Sequence, residues 1–590
     1  MDEKMITADV FSATNVEEKL MLGNEAVAQG AWEAGVRVVT SYPGTPSTEI
    51  TEAIARYPEI NVQWAPNEKV ASEVVFGASL GGARCMTCMK HVGVNVAADP
   101  IFTAAYTGVS GGMVIVVADD PAMHSSQNEQ DSRYYARAAH IPMLEPSDSR
   151  ECAAFTKLAF QMSEELDTPV FVRLTTRIAH ARSAVQTGER TEVALKPYQK
   201  DMMKNVMMPA MARKRHLHVE QRESFLAEAA NRMPINVVKM RDTGVGVITS
   251  GACYEYVRDA LPYASTLKLG MVYPLPMKLI REFASKVERL IVVEELEGLI
   301  EKDVAAAGIP VEGKQYTGVQ GELSVEKLRN VLDGQPLPES PAQELPPRPP
   351  VLCPGCPHRG VFYVLNKLNL HVMGDIGCYT LAALPPLSAM DSCLCMGASI
   401  GMASGMERAQ GREISKKTVA VLGDSTFIHS GITALVDAVY NRENITVLIL
   451  DNRITGMTGH QQNPATGLDI HNQPAPQLNL EKLAEGCGVK DIIVVDPFDM
   501  KAMEQAVRGA TGRDGVSVVI ARRPCALLDK SFHPAYRIEN CKNCGACMKL
   551  TCPAIERGKD GARINSALCI GCGMCAQVCP FKAIQSGEDA

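Results

Sequence analysis

Two runs of four cysteines lie within the last fifty residues, and they limit the fold of this tail more than any other feature of the 590-residue chain. Each run begins with three cysteines spaced by two residues and ends in a Cys-Pro pair. The runs are Cys541-x2-Cys544-x2-Cys547-x4-Cys552-Pro553 and Cys569-x2-Cys572-x2-Cys575-x3-Cys579-Pro580. This spacing is typical of two [4Fe–4S] clusters, in which each run gives three thiolates to one cluster and its fourth to the other.

That exchange predicts two ligand sets. They are Cys541, Cys544, Cys547 and Cys579 for one cluster, and Cys569, Cys572, Cys575 and Cys552 for the other. Zinc is the main alternative, but zinc sites use paired Cys-x2-Cys units, which these runs do not match. The first run has one residue more before its last cysteine than the usual bacterial pattern, and we expect it only to lengthen a turn. The tail is therefore predicted to pass single electrons.

Composition excludes several classes of protein. With 46% apolar and 21% charged residues and a net charge of −8, the chain is that of an ordinary protein with an apolar core, and no basic stripe predicts nucleic-acid binding. The acidic start and the absence of a long apolar run argue against a signal peptide and a membrane span. We therefore expect a cytoplasmic protein with no nucleic-acid or membrane partner. In that compartment its nineteen cysteines are expected to be reduced.

Runs of β-branched residues alternate with helical segments over most of the chain, which predicts βαβ units around parallel sheets and an α/β fold of several domains. The predicted strands are 36–40, 112–117, 169–174, 244–249, 290–293, 418–422 and 445–450. We predict α/β domains at 1–185, 241–333 and 351–530, a connecting segment at 186–240, a Pro-rich linker at 334–350 and the cysteine-rich domain at 531–590.

Two neighbouring predicted strands end in polar residues that suit a metal ion. Strand 418–422 runs into Gly423 and Asp424, and strand 445–450 is followed by Asn452. The carboxyl ends of adjacent parallel strands meet at one edge of a sheet, where ligands bind. Carboxylate, amide and carbonyl oxygens are what Mg²⁺ prefers while it holds a diphosphate. The Gly/Thr-rich loop that follows, with Thr458 and Gly459, suits phosphate oxygens.

This pattern resembles the Gly-Asp-Gly…Asn motif of thiamine diphosphate enzymes. The resemblance implies that Asp424, the side chain of Asn452 and the carbonyl of Ile454 hold Mg²⁺. Ser425 stands where the motif has its last glycine, but the metal ligand is kept. A strand-end turn and an unrelated asparagine would also explain the pattern when it is taken alone.

Enzymes of this kind also need a carboxylate that relays a proton to the aminopyrimidine ring of the cofactor. By the same resemblance, segment 67–78 is the element that provides it. Glu68 is the predicted catalytic residue, with Glu73 as the second choice. An amphipathic helix with solvated acids is the alternative interpretation of this segment.

Together with Ser41-Tyr42-Pro43-Gly44-Thr45-Pro46-Ser47, these motifs make the chain similar to the 2-oxoacid:ferredoxin oxidoreductases over nearly its whole length. In that family this segment lies against the 2-oxoacid, which makes Thr45 a candidate ligand of the substrate carboxylate. A helix start capped by Ser47 is the other interpretation. The order of domains resembles the large (alpha) subunits of the indolepyruvate branch: pyrimidine-type, transketolase C-terminal-like and diphosphate-type thiamine domains, then a bacterial-type ferredoxin domain.

Segments 90–100 and 124–133 are also typical of that branch, and they place cations and amides in loops that follow strands. Lys90, His91 and Arg133 are therefore candidate substrate ligands because they occur as a group, whereas a surface charge or a satisfied core group is the favoured interpretation of each one alone. In related subunits a Cys-Pro-Gly-Cys, a Gly-Cys and a late Pro-Cys bind a third, proximal cluster. Here the cysteines in that order are Cys353, Cys356, Cys378 and Cys525, and free buried thiols are the alternative.

The resemblance implies oxidative decarboxylation of an aryl 2-oxoacid, indole-3-pyruvate, with coenzyme A as acyl acceptor and an external ferredoxin as electron acceptor. It also implies a smaller beta subunit in a complex of two large and two small subunits. The same chemistry on phenylpyruvate, pyruvate or another 2-oxoacid is the first alternative. The second is a non-catalytic iron–sulfur redox adaptor, which only Ser425 favours.

Overall fold

The computed structural model describes residues 17–335, 349–529 and 533–587, and the chain forms two compact units, Met1–Ala342 and Gln343–Ala590. The division falls inside the predicted linker 334–350. Most of that linker, 336–348, lies outside the described residues.

The first unit contains thirteen strands and fourteen helices within the described residues. The strands are β1 Glu17–Leu22, β2 Val38–Ser41, β3 Asn61–Trp64, β4 Cys85–Lys90, β5 Met113–Asp119, β6 Met143–Leu144, β7 Val170–Thr175, β8 Arg182–Thr187, β9 Val237–Lys239, β10 Asp242–Ser250, β11 Ala264–Leu269, β12 Met271–Tyr273 and β13 Arg289–Val293. The helices are α1 Gly23–Glu33, α2 Thr48–Ile54, α3 Glu68–Leu80, α4 His91–Thr107, α5 Arg133–Ala139, α6 Ser149–Leu166, α7 Thr176–His180, α8 Met202–Asn205, α9 Pro209–Ala230, α10 Gly251–Ala260, α11 Met277–Ala284, α12 Leu299–Ala306, α13 Lys314–Thr317 and α14 Val325–Asp333.

Two α/β sheets share this unit. A seven-stranded sheet has the order β12-β6-β7-β5-β4-β2-β3 and is parallel except for β12. A four-stranded sheet has the order β13-β10-β11-β9. Strands β4, β5 and β7 are buried along their whole length, which explains their continuous apolar runs. One apolar core joins the two sheets, since Phe171 of β7 and Leu269 of β11 belong to the same buried cluster.

The second unit contains one six-stranded sheet and the cysteine-rich tail. Its strands are β14 His371–Gly374, β15 Ser392–Cys393, β16 Thr418–Gly423, β17 Thr446–Asp451, β18 Asp491–Val495, β19 Ser517–Arg522, β20 Arg537–Ile538, β21 Ile555–Gly558, β22 Gly561–Ile564 and β23 Ile584–Gln585. Its helices are α15 His358–Lys367, α16 Ala398–Gln410, α17 Arg412–Ser415, α18 Asp424–Thr426, α19 Ile432–Tyr440, α20 Leu480–Gly486, α21 Met500–Gly512 and α22 Met574–Val578. Short 3₁₀ turns at Pro121–Met123, Cys378–Ala383 and Ala546–Leu550 and a π turn at Phe427–Gly431 complete the two units.

The six-stranded sheet is entirely parallel, with the order β15-β14-β16-β17-β19-β18. The carboxyl ends of β14, β16, β17 and β19 therefore lie next to one another. The tail packs on one face of this sheet, because Met574 of the tail and Val421 of β16 share one buried cluster.

The α/β fold class predicted from the sequence is confirmed, and the predicted strands differ from the observed ones by at most two residues at either end. The connecting segment 186–240 contains α8, α9 and β9, and β9 pairs antiparallel with β11 at the edge of the four-stranded sheet. In the described parts of the chain, each helix is too short or too polar to cross a membrane.

Candidate functional site

Glu68 is a buried carboxylate at the carboxyl edge of the seven-stranded sheet. It is the first residue of α3, which the side chain of Asn67 caps by accepting the amide of Val70 at 2.9 Å. A Cβ on Gly93 of α4 would lie 2.6 Å from Glu68 Oε1, so the carboxylate has its space only because residue 93 is glycine. Glu73, the second choice from the sequence, is exposed.

Lys90 and Thr45 meet the loop 124–129 at the same sheet edge. Lys90 ends β4, is 8% exposed and donates through Nζ to the carbonyl oxygen of Ser125 at 2.5 Å. The hydroxyl of Ser125 lies 3.5 Å from the carbonyl oxygen of Thr45. Burial lowers the pKa of Lys90 to about 8, against the opposing effect of Asp120. The structure thus brings Lys90 and Thr45, two of the four predicted substrate ligands, to one loop, which His91 also contacts.

His91 is fully buried beside Lys90, and its environment favours the neutral ring. Its Nε2 lies 3.2 Å from the carbonyl oxygen of Asn128, so Nε2 carries the proton. Its Nδ1 accepts no hydrogen bond from the residues that the structure describes. Burial also lowers the pKa of His91, which favours the neutral ring. The side chain therefore holds the loop 124–129 rather than presenting a positive charge.

Arg133 is committed to a buried ion-pair network. Its guanidinium donates to both carboxylate oxygens of Asp131 at 2.6 to 3.1 Å and to Glu294 Oε2 at 2.5 Å. It also donates to the carbonyl oxygens of Glu295 and Glu297. The side chain is 1% exposed. In the described ranges no hydrogen bond joins it to Lys90 or His91, and its charge is balanced by its own acidic partners.

Asp424 lies where the sequence predicts the metal ligand, in the turn after β16. Its side chain is 2% exposed, and its two oxygens accept the amides of Ser425 at 2.7 Å and Arg453 at 3.0 Å. Burial, followed by the nearby charge of Asp451, raises the pKa of Asp424 to about 7. A bound cation would lower the pKa of such a buried carboxyl group, because the cation stabilises the ionised form.

Asn452 and Ile454 follow β17 on the adjacent strand end. The left-handed backbone of Arg453, with φ at 60°, turns the chain between them, and the amide of Ile454 donates to Asn452 Oδ1 at 3.3 Å. Asn452 and Ile454 are both buried. A carboxylate, an amide oxygen and a backbone carbonyl from two neighbouring strand ends fit the oxygen ligands of Mg²⁺.

The Gly/Thr-rich loop closes on itself directly after these residues. Thr455 and Gln461 exchange backbone hydrogen bonds at 3.0 and 3.2 Å, and Thr458 Oγ1 donates to Gln461 Oε1 at 2.5 Å. Gly459 has a φ of +119°, a conformation that favours glycine. The loop is thus a short closed turn beside the strand ends.

Sequence reasoning missed two residues of this edge. The hydroxyl of Tyr379 accepts the amide of Gly423 at 2.9 Å, and a Cβ on Gly423 would lie 3.1 Å from the Tyr379 ring. Asp375 follows β14 and accepts the amide of Gly397 at 2.9 and 3.0 Å, and burial raises its pKa to about 6. The Gly-Asp pair at 374–375, which repeats the pattern at 423–424, was the available signal for Asp375.

The four cysteines of the predicted proximal cluster lie close enough to influence one another. Burial raises the pKa of Cys378 to about 11, and Cys525 and Cys353 add to the shift. Burial likewise raises the pKa of Cys356 to about 12, with contributions from Cys378 and Cys353. Thiols from three separate segments of the chain therefore lie near one another, as the ligands of a cluster would have to.

These thiols lie at the same sheet edge as the candidate magnesium ligands. A Cβ on Gly456 would lie 3.5 Å from Cys378 Sγ, and the amide of Cys525 donates to the carbonyl oxygen of Asn452 at 2.9 Å. Cys525 Sγ lies 3.9 Å from His460 Nε2. The cysteine set and the closed loop 455–461 are thus direct neighbours.

Two cavities in the tail separate its eight cysteines into the sets that the spacing predicts. Cys541, Cys544, Cys547 and Cys579 line the outer cavity. Cys552, Cys569, Cys572 and Cys575 line the inner cavity. Each set contains the last cysteine of the opposite run, so four thiols are available at each cavity, the number that a [4Fe–4S] cluster requires.

The inner cavity borders the segment that carries Cys353 and Cys356. Gly355 and Arg359 line it, and a Cβ on Gly355 would lie 2.0 Å from the side chain of Ile570 in the tail. Arg359 Nη1 donates to the carbonyl oxygen of Leu550 at 2.7 Å. The inner set of cysteines is therefore the one adjacent to the proximal set.

Comparison with protein families finds four matches along the chain. They are "Pyruvate flavodoxin/ferredoxin oxidoreductase, thiamine diP-bdg" at 29–242, "Indolepyruvate oxidoreductase domain" at 245–328, "Thiamine pyrophosphate enzyme, C-terminal TPP binding domain" at 375–521 and "4Fe-4S binding domain" at 562–585. The matches follow the order of domains expected from the motifs.

Similar curated proteins extend over the full chain. "Indolepyruvate oxidoreductase subunit IorA" of Archaeoglobus fulgidus is 39% identical over 98% of this chain and 99% of its own length. The subunit of the same name from Methanothermobacter marburgensis is 40% identical over 98% of both chains. A solved 2-oxoglutarate:ferredoxin oxidoreductase from Magnetococcus marinus aligns with 54% of this chain and 65% of its own at 18% identity and a TM-score of 0.46.

Proposed function

This chain belongs to the indolepyruvate oxidoreductase subunit IorA family, and on that premise we propose that it oxidatively decarboxylates an aryl 2-oxoacid, indole-3-pyruvate, to indole-3-acetyl-CoA and CO2. The broader activity follows from the family itself. The protein is a 2-oxoacid:ferredoxin oxidoreductase that uses thiamine diphosphate and iron–sulfur clusters. The preference for an aryl substrate rests on the names of its relatives.

The proposed reaction balances with two single-electron acceptors. One 2-oxoacid anion, one coenzyme A and two oxidised ferredoxins give one acyl-CoA, one CO2, two reduced ferredoxins and one proton. The carboxylate carbon leaves as CO2, and the thiol of coenzyme A forms the new bond to the former keto carbon. Bound thiamine diphosphate supplies the carbon chemistry, and the protein supplies binding, orientation and electrostatics.

One observation carries this proposal: thiols that suit a cluster lie directly beside the loop and strand ends that suit the diphosphate. A Cβ on Gly456 would lie 3.5 Å from Cys378 Sγ, and the amide of Cys525 donates a hydrogen bond to the carbonyl oxygen of Asn452. An oxidoreductase that passes electrons from a thiamine-bound substrate to clusters needs this neighbourhood, whereas a non-oxidative thiamine enzyme does not.

Within the first unit we propose that Glu68 exchanges a proton with the aminopyrimidine ring and that Lys90 and Thr45 bind the oxoacid carboxylate. The ammonium of Lys90 supplies the charge, since His91 is neutral and the charge of Arg133 is balanced by its own acidic partners. His91 would act by holding the loop 124–129 over Lys90.

Within the second unit we propose that Asp424, Asn452 and the carbonyl of Ile454 hold Mg²⁺, with Gly423, Thr458 and Gly459 shaping the diphosphate site. We further propose two clusters in the tail and a third at the proximal cysteines. For partners we propose an external ferredoxin and a smaller beta subunit, as the subunit names of the relatives suggest. A complex of two large and two small subunits is the arrangement to test.

The test is an anaerobic substrate comparison with the chain co-purified with its small subunit, coenzyme A and a viologen dye. We expect kcat/KM for indole-3-pyruvate to exceed that for pyruvate by about a hundredfold, because burial of the apolar indole ring would add binding energy that the methyl group of pyruvate lacks. A Glu68→Gln variant should keep its bound thiamine diphosphate but lose at least about a hundredfold in rate. Faster dye reduction with pyruvate or 2-oxoglutarate would remove the aryl assignment.

A further inference from the structure

Three basic residues lie at the outer cavity of the tail or directly beside one of its lining residues. Lys542 and Arg557 line this cavity together with the apolar ring of Phe581, and Lys582 follows Phe581 in the chain. All three basic residues are exposed, and Phe581 is 54% exposed. We call Lys542, Arg557 and Lys582 the basic rim. None of their side chains forms a hydrogen bond or ion pair with another residue in the part of the chain that the structure describes.

The basic rim stands out against the charge of the rest of the protein. Counted over side chains alone, residues 531–590 carry seven Lys and Arg and five Asp and Glu, an excess of two positive charges, whereas the whole chain has a net charge of −8. An exposed aromatic ring with exposed cations beside it has the composition of a protein-binding surface with an apolar centre and a charged edge.

The hairpin β21–β22 directs Arg557 toward the outer cavity. Arg557 is opposite Ala562 in the register of the two strands, and both line that cavity. Glu556 is opposite Arg563, and neither lines the cavity. Because neighbouring residues of a strand point to opposite faces, Arg557 and Arg563 project from opposite faces of one hairpin.

The two cavities differ in what covers them. The inner cavity is lined by Pro354, Gly355 and Arg359 from the thiamine-binding domain, so the chain itself occupies that side. The outer cavity is lined only by residues of the tail, and its Cys544 is exposed. A cluster at the outer set is thus the one that an external electron carrier reaches.

We propose that the acceptor ferredoxin docks on the outer cavity through an acidic face that meets the basic rim, with Phe581 at the centre of the contact. The assignment of ferredoxin as acceptor rests on the proposed function; the position and charge of the docking surface rest on the geometry of the tail. Attraction between opposite charges increases the rate of encounter and favours the correct orientation of the two proteins. This attraction weakens as the salt concentration rises.

Binding of ferredoxin, measured apart from turnover, tests this surface. The holoprotein is titrated with a small acidic [4Fe–4S] ferredoxin in its oxidised form by calorimetry at low and at high ionic strength. In the triple variant Lys542→Gln, Arg557→Gln and Lys582→Gln, we expect the Kd at low salt to rise by about tenfold and its salt dependence to flatten. Arg563→Gln, which removes one charge from the other face of the hairpin, is the matched control for Arg557→Gln and should bind as the wild type does.

Iron content and viologen reduction are measured on the same preparations. The triple variant should keep wild-type iron content and wild-type dye reduction, since a dye needs no protein docking surface. An unchanged Kd in the triple variant, or equal weakening by Arg563→Gln and Arg557→Gln, overturns the proposed surface. Failure of every aryl 2-oxoacid to reduce the dye overturns the proposed substrate instead and leaves the binding result to be judged separately.

Discussion

At the scale of single residues, Lys90 carries a charge that depends on pH in the neutral range. Burial lowers its pKa to about 8, so the ammonium is present below that pH and is lost above it. If this charge binds the oxoacid carboxylate, KM for the 2-oxoacid should rise as the pH passes about 8, by up to about tenfold, while kcat changes less. KM measured across this range checks the expectation.

Two variants of Lys90 separate this titration from others in the enzyme. Lys90→Arg should keep a low KM above pH 8, because a guanidinium stays charged there. Lys90→Met should show a high KM that no longer varies with pH. A wild-type KM that is constant across the range would rule out Lys90 as the carboxylate ligand.

Arg133 shows the opposite behaviour of a buried cation, since its partners are part of the protein. Replacement by Met would leave Glu294 without its cationic partner and Asp131 with Arg173 alone at 3.9 Å, which costs about 3 to 5 kcal/mol of unfolding free energy. We expect Arg133→Met to lower stability in denaturant titrations without raising KM of the remaining folded enzyme.

The matched control is Arg137→Met on the same helix, α5. Arg137 pairs with Asp303 while half exposed, and such pairs contribute at most about 1 kcal/mol. Equal stability of the two variants, together with a raised KM for Arg133→Met alone, would return Arg133 to the substrate site.

At the scale of elements, the contact between α3 and α4 sets the position of the candidate catalytic acid. Gly93→Ala would place a methyl group 2.6 Å from Glu68 Oε1, and the flexible carboxylate, rather than the helix, would have to move. We expect kcat to fall by at least about tenfold with little loss of stability, since proton transfer depends on the position of the acid. Steady-state kinetics and thermal melting measure the two effects.

Gly77→Ala on α3 provides the control for this helix pair. A Cβ at residue 77 meets no atom within 4 Å, so alanine should stabilise the helix by about 0.5 to 1 kcal/mol and leave kcat unchanged. Similar losses of activity in Gly77→Ala and Gly93→Ala would mean that any change in this helix pair lowers kcat, and that the position of Glu68 is not the cause.

The elements also show where sequence reasoning succeeds. Buried parallel strands such as β5 and β16 are continuous apolar runs, so their bounds can be read locally. The edge strand β12, only three residues long, pairs with β6 about 130 residues earlier, and no local pattern encodes such a partner. The same reason explains Arg133, whose partner Glu294 lies 161 residues away. The candidate magnesium ligands and the tail cysteines could be proposed from the sequence because strand ends and short spacings are local features, and their roles stay predictions.

At the scale of the whole second unit, the cysteine sets have a fixed order. The proximal cysteines adjoin the loop 455–461, the inner cavity adjoins the proximal segment at Gly355, and the outer cavity faces away from that segment. Electrons that leave the substrate would therefore pass the proximal, inner and outer sets in turn.

The number of iron atoms decides whether that first step exists. Without iron, burial raises the pKa of Cys356 to about 12 and that of Cys378 to about 11, so both thiols are protonated. A bound cluster would release these protons and take the four cysteines of the proximal set as ligands. We expect anaerobically prepared wild-type chain to contain about twelve iron atoms, and Cys378→Ala about eight, because each cluster contributes four. Cys487→Ala, which changes a half-buried cysteine of the same unit outside all three sets, should retain the wild-type iron content.

In Cys378→Ala, viologen reduction should fall at least about a hundredfold, since the substrate loses its nearest electron acceptor while the tail clusters remain. About eight iron atoms in the wild type, with full activity of Cys378→Ala, would show that electrons reach the tail without a proximal cluster.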